Sequence, residues 1–381
     1  MKITKFFALM CAVATIAVGC DKPGNPENPA PQPIPEPDPT ATLEIEVVKS
    51  RITIGDEIQF IVTMNGTPVT EAKTLEIYDA STYELVSNPY KPTEIGHYEF
   101  YAMYGPLVTD VHAFVEVLPV MEEIPADPQP ENTKFNHRIL LIDHTGSGCV
   151  FCPYMMTSLK QLSEDSDYNT KYNEVTAHYG SLAATDNARS EAASIVGGNI
   201  AAYVEGFPAL TYNLCEEYVA SYSLSTIKNG INKLWKKDGA EAGIAAYAAL
   251  AADKVTVNYE IKTRTEQEYR VAAWLLESDI YSAQTGASAD WQNYAHNAIR
   301  NITGYNGSND ISGESIGTVK VGEPARGTLD IPIIGPKWVT DNMSVLIIVT
   351  AANDRYQGKF EVVNTAICEL GKGVEYEYMA E

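Results

Sequence analysis

The sequence predicts a multidomain chain of mixed class, α/β plus all-β, in which two β-sandwiches flank a central α/β unit. Three observations carry that prediction. Two proline-rich stretches, residues 21–40 and 121–134, divide the 381 residues into segments of domain size. Residues 41–120, and those after about 239, alternate apolar and polar side chains with the period of two of half-buried strands. Between them, apolar runs alternate with stretches of helical period, the strand-helix order of an α/β unit.

At the N-terminus, Lys2 and Lys5 precede an apolar segment from Phe6 to Val18, and Ala17-Val18-Gly19 lead into Cys20. This is the layout of an export signal over residues 1–19. The segment is short for a membrane span, and no later run approaches ~20 apolar residues. A cysteine directly after small residues resembles a bacterial lipobox, whose cleavage leaves Cys20 as a lipidated N-terminus; the alternative is an ordinary secretory signal with a chance cysteine. On the first reading acyl chains tether the protein, each buried CH₂ contributing about 0.8 kcal/mol. Residues 20–40 are then the lipidated cysteine and a stalk. Eight of the twenty residues from Asp21 to Thr40 are proline, so the segment buries no core and extends as polyproline II at ~3.1 Å per residue, on the order of 60 Å in all. A net charge of −23 argues against nucleic acid or an anionic membrane as partner, so the membrane is reached only through the N-terminal lipid.

Residues 41–120 read as an immunoglobulin-like sandwich. Leu43, Ile45 and Val47 share one face, Ile58, Phe60 and Val62 repeat the pattern, and Asn65-Gly66 gives a hairpin signal. Thr74 to Tyr78, His97 to Tyr104 and Val111 to Leu118 supply further strands. His97 and His112 lie within strand patterns and are read as solvated or packed, and the unit as a spacer or adhesive module. Residues 121–134 are the linker that follows.

In residues 135–238 the strand Ile139-Leu140-Leu141-Ile142 runs into Gly148-Cys149-Val150-Phe151-Cys152-Pro153, with Asp143 six residues before the first cysteine. Met155, Leu159 and Leu162 then recur at helical spacing, so the dithiol opens an amphipathic helix in which Pro153 is tolerated early. Unpaired backbone N–H groups at a helix start draw a thiol toward thiolate. The first cysteine is expected to be the more exposed, the second to lie one turn inward. A strand at Glu174 to Tyr179, a helical region from about Asn187 to Tyr203, a strand at Leu210 to Leu214 and a helix striped by Ile227, Ile231, Leu234 and Trp235 complete the unit.

The stretch LLIDHTGSGCVFCP resembles the active-site strand and helix start of the thioredoxin superfamily, and Gly206-Phe207-Pro208-Ala209 resembles its cis-proline loop. Two departures stand out: Gly148 replaces the usual tryptophan, and the interval to Pro208 is longer, which fits a helical insertion around residues 183–205. The resemblance implies a thioredoxin-like domain in which Cys149 is the attacking thiolate and Cys152 the resolving thiol. It also implies that Asp143 is a buried proton acceptor for Cys152, and that Pro208 shapes a cleft for an extended partner chain. The implied partners are exported proteins or a redox partner protein, without a cofactor. A buried carboxylate near Cys152 has a raised pKa and suits a general base. The alternatives are an exposed aspartate at a strand end and a merely structural disulfide. His144 and His178 could complete a copper or zinc centre with the two thiols, but no second cysteine pair follows and no metal is assigned. Haem attachment is excluded by Pro153, where that motif needs histidine. Cys215 and Cys368 remain, either as a structural disulfide or as two separate buried thiols.

From about 239 to 376 a second sandwich is expected, with strands at Lys254 to Thr263, Tyr269 to Glu277, Gly317 to Val321, Leu329 to Ile334 and Ser344 to Ala351. Within it His296, Asn297 and Arg300 cluster on the segment YAHNAIR and are read as a hydrogen-bonded structural group, with a ligand role as the alternative. The succession of a redox-like unit, a sandwich bearing this segment and an ending near Val362-Val363-Asn364 resembles the outer-membrane-protein-28-related lipoprotein family over residues 135–376. That resemblance implies a lipid-anchored protein of the Gram-negative cell envelope, at the outer membrane and facing periplasm or cell surface, but no particular reaction. Two functions are therefore expected to compete: thiol-disulfide exchange on exported proteins, and envelope or surface binding on a non-catalytic scaffold.

Overall fold

The chain builds a mostly β architecture of several sheets with few helices. The structure, a computed structural model, describes residues 38–69, 74–118, 120, 123–200, 204, 206–214, 218–219, 221–305, 310–335, 337–353 and 359–380. The export signal, Cys20 and almost all of the stalk lie outside the described residues, as does Cys215.

In the N-terminal unit Leu43–Val47, Phe60–Met64 and Thr67–Pro68 form one sheet. Arg51–Thr53, Ala113–Leu118, Gly96–Tyr104, Leu75–Asp79 and Leu85–Val86 form a second, with Leu107–Val108 paired to Gly96–Tyr104. Leu43, Ile45, Ile58, Phe60 and Val62 turn inward against Phe100 and Val117, as their alternation requires. Asn65 and Gly66 take φ of 51° and 75°, the hairpin turn whose twist matches its strands. His112 pairs with Glu99 at 2.6 Å. His97 reaches Asp253 at 3.2 Å, and Glu116 reaches Lys254 at 2.8 Å, so this unit rests on the one after it through ion pairs.

The remaining chain runs through Ile139–Thr145 (β1), Cys152–Ser163 (α1), Tyr172–His178 (β2), Glu191–Ile200 (α2), Ala209–Tyr212 (β3) and Leu224–Leu234 (α3). It continues through Ala242–Ala251 (β4), Lys254–Thr263 (β5), Gln267–Glu277 (β6), Ala298–Ile302 (β7), Ala325–Pro332 (β8), Met343–Asn353 (β9) and Lys359–Glu369 (β10). β1 and β2 are parallel, and β3 is antiparallel to β1. These strands belong to a nine-stranded sheet in the order Tyr218–Val219, β3, β1, β2, β7, β6, β9, β10, with Glu314–Val319 on β6. The position near 238, where the sequence pattern changes, thus divides the chain but not the sheet: β2 meets β7 where Thr176 stands opposite Ala298. A second sheet, ordered β8, β5, β4 and Lys372–Val374, covers the β6 and β9 end of the first.

Period two divides β6 between two cores. Val271, Ala273 and Leu275 face the second sheet, while Ala272, Trp274 and Leu276 join Leu140, Ile142, Val175 and Val196 under α2. A strand buried on both faces reads as a continuous apolar run, as Val271 to Leu276 does. The alanine-rich β4 is the strand that the sequence pattern does not single out. Alanine favours helix, but Ala242, Ala246 and Ala248 face the sandwich core while Ala245 packs with Phe135, and two covered faces favour small side chains.

On the opposite face of β1, Ile139 and Leu141 pack with Met155, Leu159 and Leu162 of α1 and with Ile227 and Ile231 of α3. By the same alternation Asp143 and Thr145 continue that row, while Glu174, Thr176 and His178 continue the row begun by Tyr172 on β2. One face under α1 is therefore apolar at one end and polar at the other.

The seam between β2 and β7 is tied by Asn297, which takes a φ of 48°. Its carbonyl accepts the Thr176 N–H at 3.0 Å, and its Nδ2 donates to the Glu174 carbonyl at 3.1 Å. Asn297→Ala is expected to destabilise the fold by about 2 kcal/mol, combining a left-handed backbone cost with a lost side-chain bond. Asn297→Gly should lose less, because glycine tolerates that φ; urea denaturation of the two variants measures the difference.

Candidate functional site at the dithiol

Cys149 and Cys152 are joined as a disulfide with their Cα atoms 5.4 Å apart. α1 begins at Cys152, and Phe151 before it offers no side-chain cap. Instead the Cys152 N–H donates to Cys149 Sγ at 3.1 Å, so the sulfur occupies the place of a capping acceptor in the field of the helix N-terminus. The expectation that Cys149 is the more exposed does not hold: Cys149 is 2% and Cys152 1% exposed. Two segments cover the loop. The Gly148 N–H donates to the Leu182 carbonyl at 2.8 Å. From the other side, Thr285 N–H donates to the Ser147 carbonyl at 2.7 Å and Gln284 Nε2 to the Cys149 carbonyl at 2.8 Å.

Gly148 now has a physical reason. A Cβ at that position would lie 2.9 Å from the Leu182 carbonyl oxygen, so the turn at 181–183 leaves no room for tryptophan. Between and beside the cysteines, Val150, Phe151 and Tyr154 are exposed, as are Leu182 and Tyr222, and the rings of Tyr154 and Tyr222 stack at 5.3 Å. An apolar collar surrounds a covered disulfide.

The Phe207–Pro208 bond is cis. Ala209 stands opposite His144 and Leu210 opposite Asp143, which puts Pro208 at the end of β1 from which the chain enters the dithiol loop. Asp143 is buried at 2% exposure rather than solvated at a strand end, and its Oδ1 has no hydrogen-bond partner among the described residues. Burial, with the charge of Glu174 added, raises its pKa well above the carboxylate range.

His144 and His178 are not brought together. His144 lies on the α2 face, within hydrogen-bond distance of Thr211 Oγ1 (2.8 Å) and Tyr179 OH (3.1 Å), and burial pushes it down to about 3. His178 lies on the α1 face, 2.8 Å from Asp186. Against the upward pull of burial, His178 and the N–H groups of Ala188 and Ser147 hold Asp186 well below the usual carboxylate range.

The polar end of the α1 face opens into a cavity of about 350 Å³, walled by β1, β2, α1 and the segment 282–296. Asp143, Glu174, His178, Asp186 and Trp291 line it. A 3₁₀ turn, Asp290–Asn293, closes one side, where Gln292 Nε2 donates to the Pro153 carbonyl at 3.0 Å. Glu174, Asp186, Gln284 and Gln292 were not singled out from the sequence. Only Glu174 left a local signal there, a charge at an inward position of the strand alternation.

Of the YAHNAIR group, Asn297 ties the seam, and buried Arg300 pairs with Glu277 at 2.7 Å and donates to the Asn187 carbonyl at 3.0 Å. His296 is exposed beside Asp279 at 3.4 Å. Asn297 and Arg300 thus act as structural fasteners. Cys368 is a free, buried thiol 3.2 Å from the Lys372 carbonyl, and Cys215, the partner weighed for it, is not among the described residues.

No family model matches this chain, and no curated protein does. Among solved structures it is similar to HBP35 of Porphyromonas gingivalis, with 18% identity and a TM-score of 0.51 over 66% of this chain and 79% of that one. It is also similar to protein AGR_C_4864 from Agrobacterium tumefaciens, with 15% identity and a TM-score of 0.39 over 64% and 99% of the two chains. The first likeness is one of fold, a β-rich arrangement of several sheets.

Glu174, partly buried on the cavity wall, is pushed up to about 7 by the protein around it. The folded state therefore holds this proton more tightly than the unfolded chain, and stability is lost as pH rises from 4.5 through about 7. Glu174→Gln, which mimics the protonated form, should match the wild type below that window and exceed it above. Urea denaturation at both ends of the window measures the gap.

Proposed function

We propose that this chain is a lipid-anchored envelope protein whose central thioredoxin-like domain exchanges disulfides with exported proteins. The observation that carries the reading is the dithiol at the start of α1, where Cys149 Sγ accepts the Cys152 N–H. In the reduced protein that donor and the helix field favour a Cys149 thiolate. The thiolate attacks one sulfur of a partner disulfide, forming a mixed disulfide and releasing the partner's other sulfur as a thiolate. Cys152, losing its proton toward Asp143, then attacks Cys149 Sγ, restores the internal disulfide and frees the partner's second thiol. The collar of Val150, Phe151, Tyr154, Leu182 and Tyr222 suits an unfolded or extended apolar segment as partner, and Pro208 at the end of β1 leaves backbone beside the loop for it.

The same reading takes residues 41–120 as an immunoglobulin-like spacer and residues 135–376 as similar to the outer-membrane-protein-28-related lipoproteins. Cys20 is then the lipidated residue, and the protein faces the periplasm or the cell surface. A second reading, a binding protein on a non-catalytic scaffold, is favoured by one observation: Cys149 is covered by Gln284 and its neighbours.

Two variants decide between them, and a third tests the lipid anchor. Cys149→Ser is expected to abolish insulin reduction by the purified protein, and Cys152→Ser to accumulate mixed disulfides visible on non-reducing gels of envelope extracts. Neither activity nor adducts would leave the binding reading. Cys20→Ala should move the protein from the membrane to the soluble fraction, and its persistence in the membrane would count against the lipid anchor.

A further inference from the structure

The cavity beside the dithiol loop carries more acid than the exchange reaction uses. Asp143 is almost wholly buried and its Oδ1 meets no donor among the described residues, and His178 Nε2 likewise has no hydrogen-bond partner among them. Glu174 lies on the neighbouring strand along the same face, close enough for its charge to act on Asp143. The basic side chains that face this space are already engaged: His178 with Asp186 at 2.8 Å, and Lys160 of α1 with Glu164 at 2.5 Å, its ammonium 6.0 Å from the centre of the Trp291 ring. His296 from the far wall is exposed beside Asp279. Opposite the carboxyls the wall is apolar, formed by Met156, Leu159 and the Trp291 ring.

We propose that this cavity is a binding site for a small organic cation, a primary alkyl- or arylalkylammonium whose head lies between Asp143 and Glu174 and whose body rests on Trp291 and Leu159. An ammonium brings three donors and no acceptor, matching a wall in which Asp143 Oδ1 lacks a donor and the Glu174 carboxyl stands on the neighbouring strand. A volume of about 350 Å³ is at the small end of ligand pockets, and the Trp291 face adds stacking contact for an aryl body. Both carboxyls hold protons more tightly than usual in the empty site, so binding the cation releases protons and strengthens as pH rises through about 7. The flanking groups set no contrary trend, since Asp186 is held in its ionised form.

Calorimetric titration of the full chain tests this with tyramine, tryptamine and hexylamine, each beside its neutral counterpart 4-ethylphenol, 3-ethylindole or hexan-1-ol. At least one amine should bind saturably and release protons, shown by titration in buffers of different ionisation enthalpy. Its affinity should exceed that of the neutral counterpart and fall at least about tenfold in Glu174→Gln, the loss expected for one charge-assisted contact. Trp291→Ala should weaken the aryl amines more than hexylamine. Saturation by none of the three amines, equal binding of a neutral counterpart, or unchanged affinity in Glu174→Gln overturns the proposal. The site does not require a reactive dithiol: a Cys149→Ser, Cys152→Ser double variant should bind the amine as the wild type does, so failure of the exchange reaction and failure of this site are read separately.

Discussion

One pairing, Thr176 of β2 opposite Ala298 of β7, fixes much of what surrounds the dithiol. Only that residue pair defines the register, but it is reinforced on each side. Thr176 N–H donates to the Asn297 carbonyl, Thr176 Oγ1 to the His296 carbonyl and Asn297 Nδ2 to the Glu174 carbonyl. Once β7 is held beside β2, the chain that leads from β6 into β7 has to cross the C-terminal end of β1. On its way it lays Gln284 and Thr285 over the dithiol loop and Gln292 against the first turn of α1. The burial of Cys149 and the existence of the cavity are thus consequences of the same seam.

The polar groups near that seam divide by how they are compensated. Arg300 and Glu277 are buried together, and Glu277 also accepts the Val339 N–H at 3.1 Å; removing either partner would strand a charge at a cost of several kcal/mol. Asp186 is similarly complete, with His178 and backbone donors around it. Asp143 has no such set. A buried carboxyl with an unfilled oxygen lowers stability, since burying a polar group without a partner costs roughly 1–3 kcal/mol. An apolar residue would continue the row of Ile139 and Leu141 at lower cost, so Asp143 and Glu174 are better explained by chemistry or binding than by packing.

The sequence showed those features whose cause is local. Alternation in Leu43 to Val47 and Phe60 to Val62, the Asn65-Gly66 turn, the helical period after Cys152 and the boundaries of β5 each reflect forces between residues a few positions apart. Asp143 and Pro208 were legible because strand, dithiol and proline loop recur together in a known pattern. The cover over Cys149 was not legible, because nothing near residue 284 marks it as lying across residue 149; only the pairing of strands more than a hundred residues apart puts it there. β4 escaped for a different reason: its alanines satisfy two tight faces, and small side chains carry almost no periodic signal. Gly148, a departure when read along the chain, became intelligible once Leu182 was seen above it.

Burial of Cys149 stands against the proposed exchange, and the weight of that objection depends on how firmly the cover is held. The strap is fastened to the dithiol loop by two hydrogen bonds, Thr285 N–H to the Ser147 carbonyl and Gln284 Nε2 to the Cys149 carbonyl. While the Gly148 N–H bond to the Leu182 carbonyl holds the loop from the other side, breaking those two bonds costs roughly 2 kcal/mol, at about 1 kcal/mol net for each. The seam and the Gln292 contact with α1 need not break for this to happen. A partner that places an extended segment along the exposed Val150 and Phe151 can offer the Ser147 and Cys149 carbonyls new donors in exchange. On the proposed exchange reading the cover competes with a partner for the backbone of the loop, and the partner that reaches Cys149 is the one that best replaces those two bonds.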